Sequence, residues 1–266
     1  MLAWMTLHGS VFSQTLGFST GISVLTPDKI LEKGSYRVAY LLHGLYGDHY
    51  TWFNNTMMAG FAAAYDTVFV MPEAARSFYT NQQYGYNYYT YIAEELPKIT
   101  QAVFNVSSKR DDTAIIGCSM GGYGALKIAL PNPECYGFCA ALSPAFLFIN
   151  EILAKLKTDG IEWAAKSPSN AAILRDIRAI FGENLAHKNS DIIFKLAETA
   201  SLSKTKTKLF VTCGTEDNLI GDARRFNGMI QEAALNLDWI FEETDGAHDW
   251  VFFSKALQKA LDIWKK

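Results

Sequence analysis

Short apolar runs alternate with segments of helical spacing along most of this chain. Continuous apolar runs predict buried strands at residues 36–42, 67–71, 113–116, 137–142, 208–213 and 239–242. Helical spacing predicts helices at residues 52–64, 88–104, 122–130, 221–234 and 250–264, and Pro97 requires a kink or a boundary within the second of these. Because the strands are apolar throughout and alternate with helices, they indicate a mainly parallel sheet covered on both faces.

Two regions depart from this alternation. Residues 4–26 alternate in shorter stretches and predict two antiparallel strands, the second at residues 21–25. Residues 145–200 contain helical pieces at 151–157, 171–181 and 191–200 and no convincing strand. We therefore predict a single α/β domain over residues 1–266 with a helical insertion (cap) at about residues 145–200, above the sheet edge where such folds bind ligands.

Composition narrows the class of protein. Of the 266 residues, 49% are hydrophobic and 19% are charged, which suits one domain with a sizeable core. The net charge of −3 gives no electrostatic reason to expect nucleic acid or an anionic membrane surface as a partner. The longest apolar stretch, residues 137–149, is broken by Pro144 and is too short to span a membrane.

The N-terminus and the cysteines favour a cytoplasmic location. Residues 1–8 have no basic segment ahead of their short apolar stretch, so we expect no secretion signal. Four cysteines, with neither zinc-ligand nor C-x-x-C spacing, are predicted to be reduced thiols of the core. They are Cys118, Cys135, Cys139 and Cys213.

The pentapeptide Gly117-Cys118-Ser119-Met120-Gly121 has the pattern G-x-S-x-G. It lies where the apolar run at 113–116 gives way to a predicted helix that ends before Pro131. A serine at such a junction occupies a tight, strained turn that exposes its hydroxyl at the top of the sheet. The pattern alone is common, so its neighbours must decide whether Ser119 is a nucleophile.

A nucleophilic serine needs a base to take its proton and an acid to orient that base. Asp217 follows the strand at 208–213 and is our candidate acid, with Glu216, Asp222, Asp245 and Asp249 as rivals close by. His248 follows the last predicted strand and is our candidate base, because His8, His43, His49 and His187 lie at less suitable positions. The chain order Ser, Asp, His is one that catalytic triads on a mainly parallel α/β sheet use.

An oxyanion hole requires two backbone N–H groups. Met120, directly after Ser119, is expected to supply one, and Leu45 in the loop His43-Gly44-Leu45 is expected to supply the other. The same loop would also fit an ordinary strand-ending turn. The tyrosine-rich residues 78–89 could either line an acyl pocket or pack their loop against the core. The same two roles, substrate contact or core packing, are open for Trp52 and Trp250.

Several motifs, in one order along the chain, resemble those of the tributyrin esterases in the esterase D group. They are His43-Gly44-Leu45-Tyr46-Gly47-Asp48, Tyr79-Thr80, Gln83-Tyr84-Gly85, Glu94-Glu95-Leu96-Pro97, residues 117–124, residues 213–217 and His248-Asp249-Trp250. The resemblance runs from about residue 10 to the C-terminus and is weakest at residues 145–200. The wider group includes S-formylglutathione hydrolases, feruloyl esterases and acetyl xylan esterases.

The resemblance implies an α/β-hydrolase fold and a serine carboxylesterase that hydrolyses short-chain acyl esters through an acyl-enzyme, with no metal or cofactor. It implies Ser119 as nucleophile, His248 as base, Asp217 as acid, and the N–H groups of Leu45 and Met120 as oxyanion donors. The expected partner is a small-molecule ester, and a homo-oligomer is possible. Feruloyl, acetyl-sugar and S-formylglutathione substrates, and acyl transfer by the same triad, are the alternatives that the sequence leaves open.

Overall fold

A computed structural model describes residues 4–27 and 35–265. Residues 1–3, part of the stretch in which we expect no secretion signal, lie outside the described residues. Within the described residues, eight strands form one sheet in the order β1-β2-β4-β3-β5-β6-β7-β8. The strands are β1 Trp4–Ser13, β2 Phe18–Pro27, β3 Arg37–Leu42, β4 Thr67–Pro72, β5 Thr113–Cys118, β6 Phe138–Leu142, β7 Lys208–Gly214 and β8 Asp238–Thr244.

The sheet is antiparallel at one edge and parallel across the rest. Strands β1, β2 and β4 pair antiparallel, whereas β4, β3, β5, β6, β7 and β8 run parallel. Side chains of the central strands alternate between two cores: in β3, Val38 and Tyr40 face one core while Ala39 and Leu41 face the other. This two-sided burial explains why the central strands are apolar runs in the sequence.

The helices cover both faces of the sheet. They are α1 Thr51–Asn55, α2 Met58–Tyr65, α3 Tyr88–Thr90, α4 Leu96–Phe104, α5 Met120–Ala129, α6 Ile149–Ala165, α7 Pro168–Phe181, α8 Ile193–Ser201, α9 Ile220–Glu232 and α10 Trp250–Lys265. Helices α1, α2 and α10 pack on one face, and α4 to α9 contribute to the core on the other. The predicted mainly parallel α/β architecture is confirmed, and no helix in the described part of the chain is long and apolar enough to cross a bilayer.

One predicted helix is wrong in detail, and a second contains the irregularity that Pro97 was expected to require. The helix expected at 52–64 is two helices, because Thr56 is extended and its hydroxyl donates to the Trp52 carbonyl at 2.6 Å. The helix expected at 88–104 contains a π-helical turn at Tyr91–Glu95, in which the Leu96 N–H reaches the Tyr91 carbonyl. This turn places Pro97 in the first turn of α4, where its missing N–H costs nothing.

The segment between β6 and β7 is helical, as predicted, and consists of α6, α7 and α8. Helices α6 and α7 extend beyond the expected pieces, above all α6, which runs for 17 residues, whereas α8 begins two residues later than expected. Because the carboxyl ends of parallel strands meet at one sheet edge, the loops after β3, β5, β6, β7 and β8 converge there. All the predicted site residues lie in these loops or at the start of α5.

Candidate active site

Ser119 lies on a strained turn between β5 and α5. Its backbone has φ +55° and ψ −118°, a conformation that non-glycine residues rarely adopt. A Cβ at Gly117 would lie 2.0 Å from the Gly121 carbonyl oxygen, and one at Gly121 would lie 2.2 Å from the Leu42 carbonyl oxygen. Only glycine therefore allows α5 to start this close to β3 and β5. The Ser119 side chain is left half-buried among neighbours that are buried.

Backbone hydrogen bonds hold this turn on both sides. The Ser119 N–H donates to the Leu142 carbonyl at 2.9 Å, and the Ser119 carbonyl accepts from Ala145 at 3.1 Å. The adjacent Cys118 does not compete as a nucleophile, because burial raises the pKa of its thiol to about 12. Ser119 is thus a fixed hydroxyl at the end of β5 with no reactive thiol beside it.

Asp217 and His248 form a hydrogen-bonded pair. The Asp217 Oδ2 and His248 Nδ1 atoms are 2.7 Å apart, and the Leu219 N–H donates to Asp217 Oδ1 at 2.8 Å. Burial alone would raise the pKa of Asp217, but the bonds from His248 and Leu219 favour the carboxylate, and its pKa lies below the usual value. An ionised Asp217 keeps the proton of His248 on Nδ1, which leaves Nε2 free to accept one.

The loops that carry this pair are joined to each other by their backbones. The Thr215 N–H donates to the Thr244 carbonyl at 2.9 Å, and the Glu216 N–H donates to the Gly246 carbonyl at 3.0 Å. A Cβ at Gly214 would lie 2.2 Å from the Gly246 carbonyl oxygen, so the close approach requires glycine. The positions of the acid and the base are therefore set together, at the ends of β7 and β8.

The rival residues have other positions or partners. Glu216, Asp245 and Asp249 are exposed, and Asp249 accepts the Phe252 N–H at 2.9 Å at the start of α10. Among the histidines, His8 and His49 both bond the Ser23 hydroxyl. His248 is the histidine that shares a cleft with Ser119.

His43 fixes the loop that carries Leu45. Its buried ring accepts the Ala74 N–H on Nε2 at 3.0 Å, so the proton is on Nδ1 and is donated to the Gly44 carbonyl at 2.8 Å. The hydroxyl of Tyr79 donates to the His43 carbonyl at 2.9 Å. The Leu45 backbone is thereby held over the Ser119 turn, where a Cβ on Gly44 would lie 3.4 Å from the Ser119 Cβ.

Met120 is the first residue of α5, and its side chain is buried. The N–H groups in the first turn of a helix have no intrahelical acceptor, and they carry the positive end of the helix dipole. The Met120 N–H is thus available beside the Ser119 hydroxyl. Leu45 lines the same cleft as Ser119, and Met120 directly follows Ser119, so the structure brings both residues with predicted oxyanion donors to the candidate nucleophile.

Leu45, Ser119 and His248 line one cleft of about 380 Å³, which we call the Ser119 cleft. Its walls include Leu45, Ser119, Phe146, His248 and Trp250. Trp52 is buried behind Trp250, and the two rings meet edge to face with 5.2 Å between their centroids. Of the tyrosine-rich residues, Phe78 and Tyr79 are buried and Tyr84 and Tyr86 are exposed, and none of residues 78–89 is in the lining of this cleft.

Sequence reasoning missed the loop after β6. Ala145 and Phe146 line the Ser119 cleft, and Ser143 and Phe146 have positive φ values of 43° and 56°. Ser143-Pro144 signals a turn here, but neither Ser143 nor Phe146 is glycine or asparagine, so the sequence does not predict their positive φ values. The cysteine prediction also needs a correction: Cys118, Cys139 and Cys213 are buried, but Cys135 lies in the turn before β6 and is exposed.

The chain matches the family model described as "Putative esterase" over residues 13–262. The chain belongs to this esterase family. An acetyl esterase from Caldicellulosiruptor saccharolyticus is 30% identical to this esterase over 248 residues, which cover 90% of this chain and 89% of that protein.

Solved structures agree with the family match. The esterase is similar to FphF, a fluorophosphonate-binding serine hydrolase of Staphylococcus aureus, with 27% identity, a TM-score of 0.82 and coverage of 100% of this chain and 99% of that one. It is also similar to the S-formylglutathione hydrolase FrmB of the same organism, with 27% identity, a TM-score of 0.80 and complete coverage of both chains. The esterase has the α/β-hydrolase fold and is a carboxylic ester hydrolase, as the motif resemblance implied.

Proposed function

We propose that this esterase hydrolyses short-chain acyl esters through an acyl-enzyme on Ser119. The observation that carries the proposal is the 2.7 Å bond between Asp217 and His248, because His248 lines the same cleft as Ser119 on its strained turn. A nucleophile, a base and an acid that orients the base are the three groups that acyl transfer requires. The name of the acetyl esterase relative supports a small acyl group.

In the first half-reaction the Ser119 Oγ forms a bond to the ester carbonyl carbon while its proton moves to His248 Nε2. The carbonyl oxygen becomes an oxyanion that the N–H groups of Leu45 and Met120 stabilise. The bond between the carbonyl carbon and the alcohol oxygen then breaks, and His248 gives its proton to the departing alcohol. Asp217 stays ionised and stabilises the protonated imidazole.

In the second half-reaction water attacks the acyl-enzyme and gives a proton to His248. The intermediate collapses, the carboxylic acid leaves, and the proton returns to Ser119 Oγ. Hydrolysis of S-formylglutathione is a second candidate, since the esterase is similar along its whole length to an S-formylglutathione hydrolase. The same chemistry would release glutathione as the thiol, and a direct assay with that thioester separates the two substrates.

The setting of the reaction is also part of the proposal. We place the esterase in the cytoplasm, because the cysteines of the described chain are free thiols, which are typical of reducing compartments. Residues 1–266 act as one domain, with residues 145–200 as its cap. A homo-oligomer is supported by the exposed Trp4 and Phe12 on edge strand β1, and the mass in solution by light scattering tests it.

The direct test is Ser119→Ala, assayed with p-nitrophenyl acetate and butyrate. We expect kcat to fall by about four to six orders of magnitude, because the base alone cannot supply the covalent step. Ser203→Ala, at a half-buried serine outside the Ser119 cleft, is the matched control and should keep its activity. Activity of Ser119→Ala within tenfold of the unmodified esterase would disprove the proposal.

A further inference from the structure

Helices α6 and α7 form most of the walls of an apolar cavity of about 300 Å³ beside the Ser119 cleft; the cavity is partly open to solvent, and we call it the α6–α7 cavity. Leu156 and Trp163 of α6 and Ile173 and Ile177 of α7 are among its walls. Lys155 and Asp159 are the charged side chains in its lining. A space of this size lies at the lower limit of pockets that hold small ligands, and its walls suit a hydrocarbon chain.

Phe146 is the wall that the α6–α7 cavity shares with the Ser119 cleft, because it lines both. Its backbone is held at φ +56°, and its carbonyl accepts the Ile149 N–H at 3.1 Å at the start of α6. Its ring contacts the edge of Phe78, with 4.4 Å between the ring centroids. The preceding residue, Ala145, donates to the Ser119 carbonyl, so the Phe146 ring is set close to the candidate nucleophile.

The two sides of the Ser119 cleft belong to different faces of the sheet. Trp250 packs with the core under α10, and the His248 ring contacts Phe253 of the same helix at 5.1 Å. Phe146 packs with the core on the opposite face. Since His248 must protonate the leaving alcohol, the alcohol lies on the α10 side. The acyl group of the same ester therefore extends from Ser119 toward Phe146.

We propose that the α6–α7 cavity is a second compartment of the acyl site and that Phe146 limits the length of the acyl chain that reaches it. This inference rests on the proposed function of Ser119. In the unmodified esterase the Phe146 ring favours short acyl groups. Removing the ring opens a path for a longer linear chain into the α6–α7 cavity, where each methylene that leaves water gains binding energy.

The test measures kcat/KM of Phe146→Ala for p-nitrophenyl butyrate and octanoate, which share one leaving group. Burial of each methylene raises kcat/KM by about fourfold, so the four additional methylenes of the octanoate can raise it by up to about 250-fold. We expect the octanoate-to-butyrate ratio to rise by at least about tenfold over that of the unmodified esterase. Since the ratio is taken within each variant, a general loss of activity cancels.

Two further variants locate the gain. Ile173→Trp, added to Phe146→Ala, fills the α6–α7 cavity and should abolish the increase in the ratio. Ile161→Trp, at a residue of α6 that is 78% exposed, adds the same side chain outside the cavity and should leave the increase intact. If Phe146→Ala does not fold, Phe146→Leu is tested instead, with a smaller increase expected.

Other outcomes would overturn the inference. They are an unchanged ratio, an increase that survives Ile173→Trp, or a gain for octyl acetate over butyl acetate in place of the gain for octanoate. The last outcome would assign the α6–α7 cavity to the alcohol. Failure of the proposed function is distinguishable, because it would appear as absent hydrolysis of all the esters by the unmodified protein.

Discussion

Replacing Asp217 by asparagine is expected to lower kcat for ester hydrolysis by about 10³- to 10⁴-fold while the protein stays folded. The reason lies in the two bonds of the carboxylate. Oδ1 accepts the Leu219 N–H at 2.8 Å, and Oδ2 accepts His248 Nδ1–H at 2.7 Å. Asparagine has one oxygen to offer, so only one of these donors can keep its acceptor.

The backbone donor decides which bond survives. The Leu219 N–H cannot turn away, so the asparagine oxygen faces it and the NH₂ group faces His248 Nδ1. The imidazole must then accept on Nδ1 and carry its proton on Nε2, where it can no longer take the proton of Ser119. The loss of about 10³- to 10⁴-fold corresponds to about 4–5.5 kcal/mol in the barrier.

The assay is the initial rate with p-nitrophenyl acetate at saturating substrate, together with a thermal unfolding curve. The folded state should lose only about 1–2 kcal/mol, since one charge-assisted bond is replaced by a neutral one. Glu216→Gln, at the exposed neighbouring acid, is the matched control and should stay within about twofold in kcat. A kcat of Asp217→Asn within tenfold of the unmodified esterase would refute this reasoning.

Three further predictions concern stability. Gly121→Ala should cost about 3 kcal/mol in the free energy of unfolding, because its Cβ meets the Leu42 backbone. The control Gly228→Ala in α9 has open space around it and should cost nothing. Chemical denaturation measures both variants, and equal effects would contradict the packing argument. Lys127→Met should lower the free energy of unfolding by about 3–5 kcal/mol, because it leaves the Asp191 carboxylate buried without the ammonium that lies 2.7 Å away. The double variant Lys127→Met/Asp191→Leu should recover most of this loss, and additive losses of stability would contradict the prediction. The pKa of Asp217 is depressed in the folded state, so its carboxylate stabilises the fold at a pH above the pKa of an unfolded aspartate. This stabilisation is lost as the pH falls through the lower folded-state pKa. The stability of Asp217→Asn should therefore depend less on acid pH, and identical pH profiles of stability would contradict the pKa shift.

The sequence predicted the parallel part of the sheet well, because buried strands and amphipathic helices leave different periods in the chain. Val38 to Leu42 and Ala114 to Cys118 are buried on both faces, and such strands can only be continuous apolar runs. The pairing of Asp217 with His248 was also predictable. In parallel sheets, residues just past the strand ends converge even when 31 positions separate them.

The features that the sequence did not predict depend on tertiary contacts. Ser143-Pro144 signals a turn but not the positive φ values of Ser143 and Phe146, which are held by bonds such as that from the Ser143 N–H to the Thr212 carbonyl. The position of His43 at the end of β3 suggested that it shapes the turn at Gly44, but its bond to Ala74 could not be predicted, because Ala74 comes from the loop after β4. The break between α1 and α2 had a weak signal in Asn54-Asn55-Thr56, a run of poor helix formers.

The central claim is that Ser119 becomes covalently acylated, and trapping it with a fluorophosphonate tests that claim most directly. Intact mass followed by peptide mapping identifies the labelled residue. We predict one adduct per chain, located on Ser119, lost in Ser119→Ala and formed more slowly in Asp217→Asn. An adduct on another residue, or one that persists in Ser119→Ala, would contradict the account.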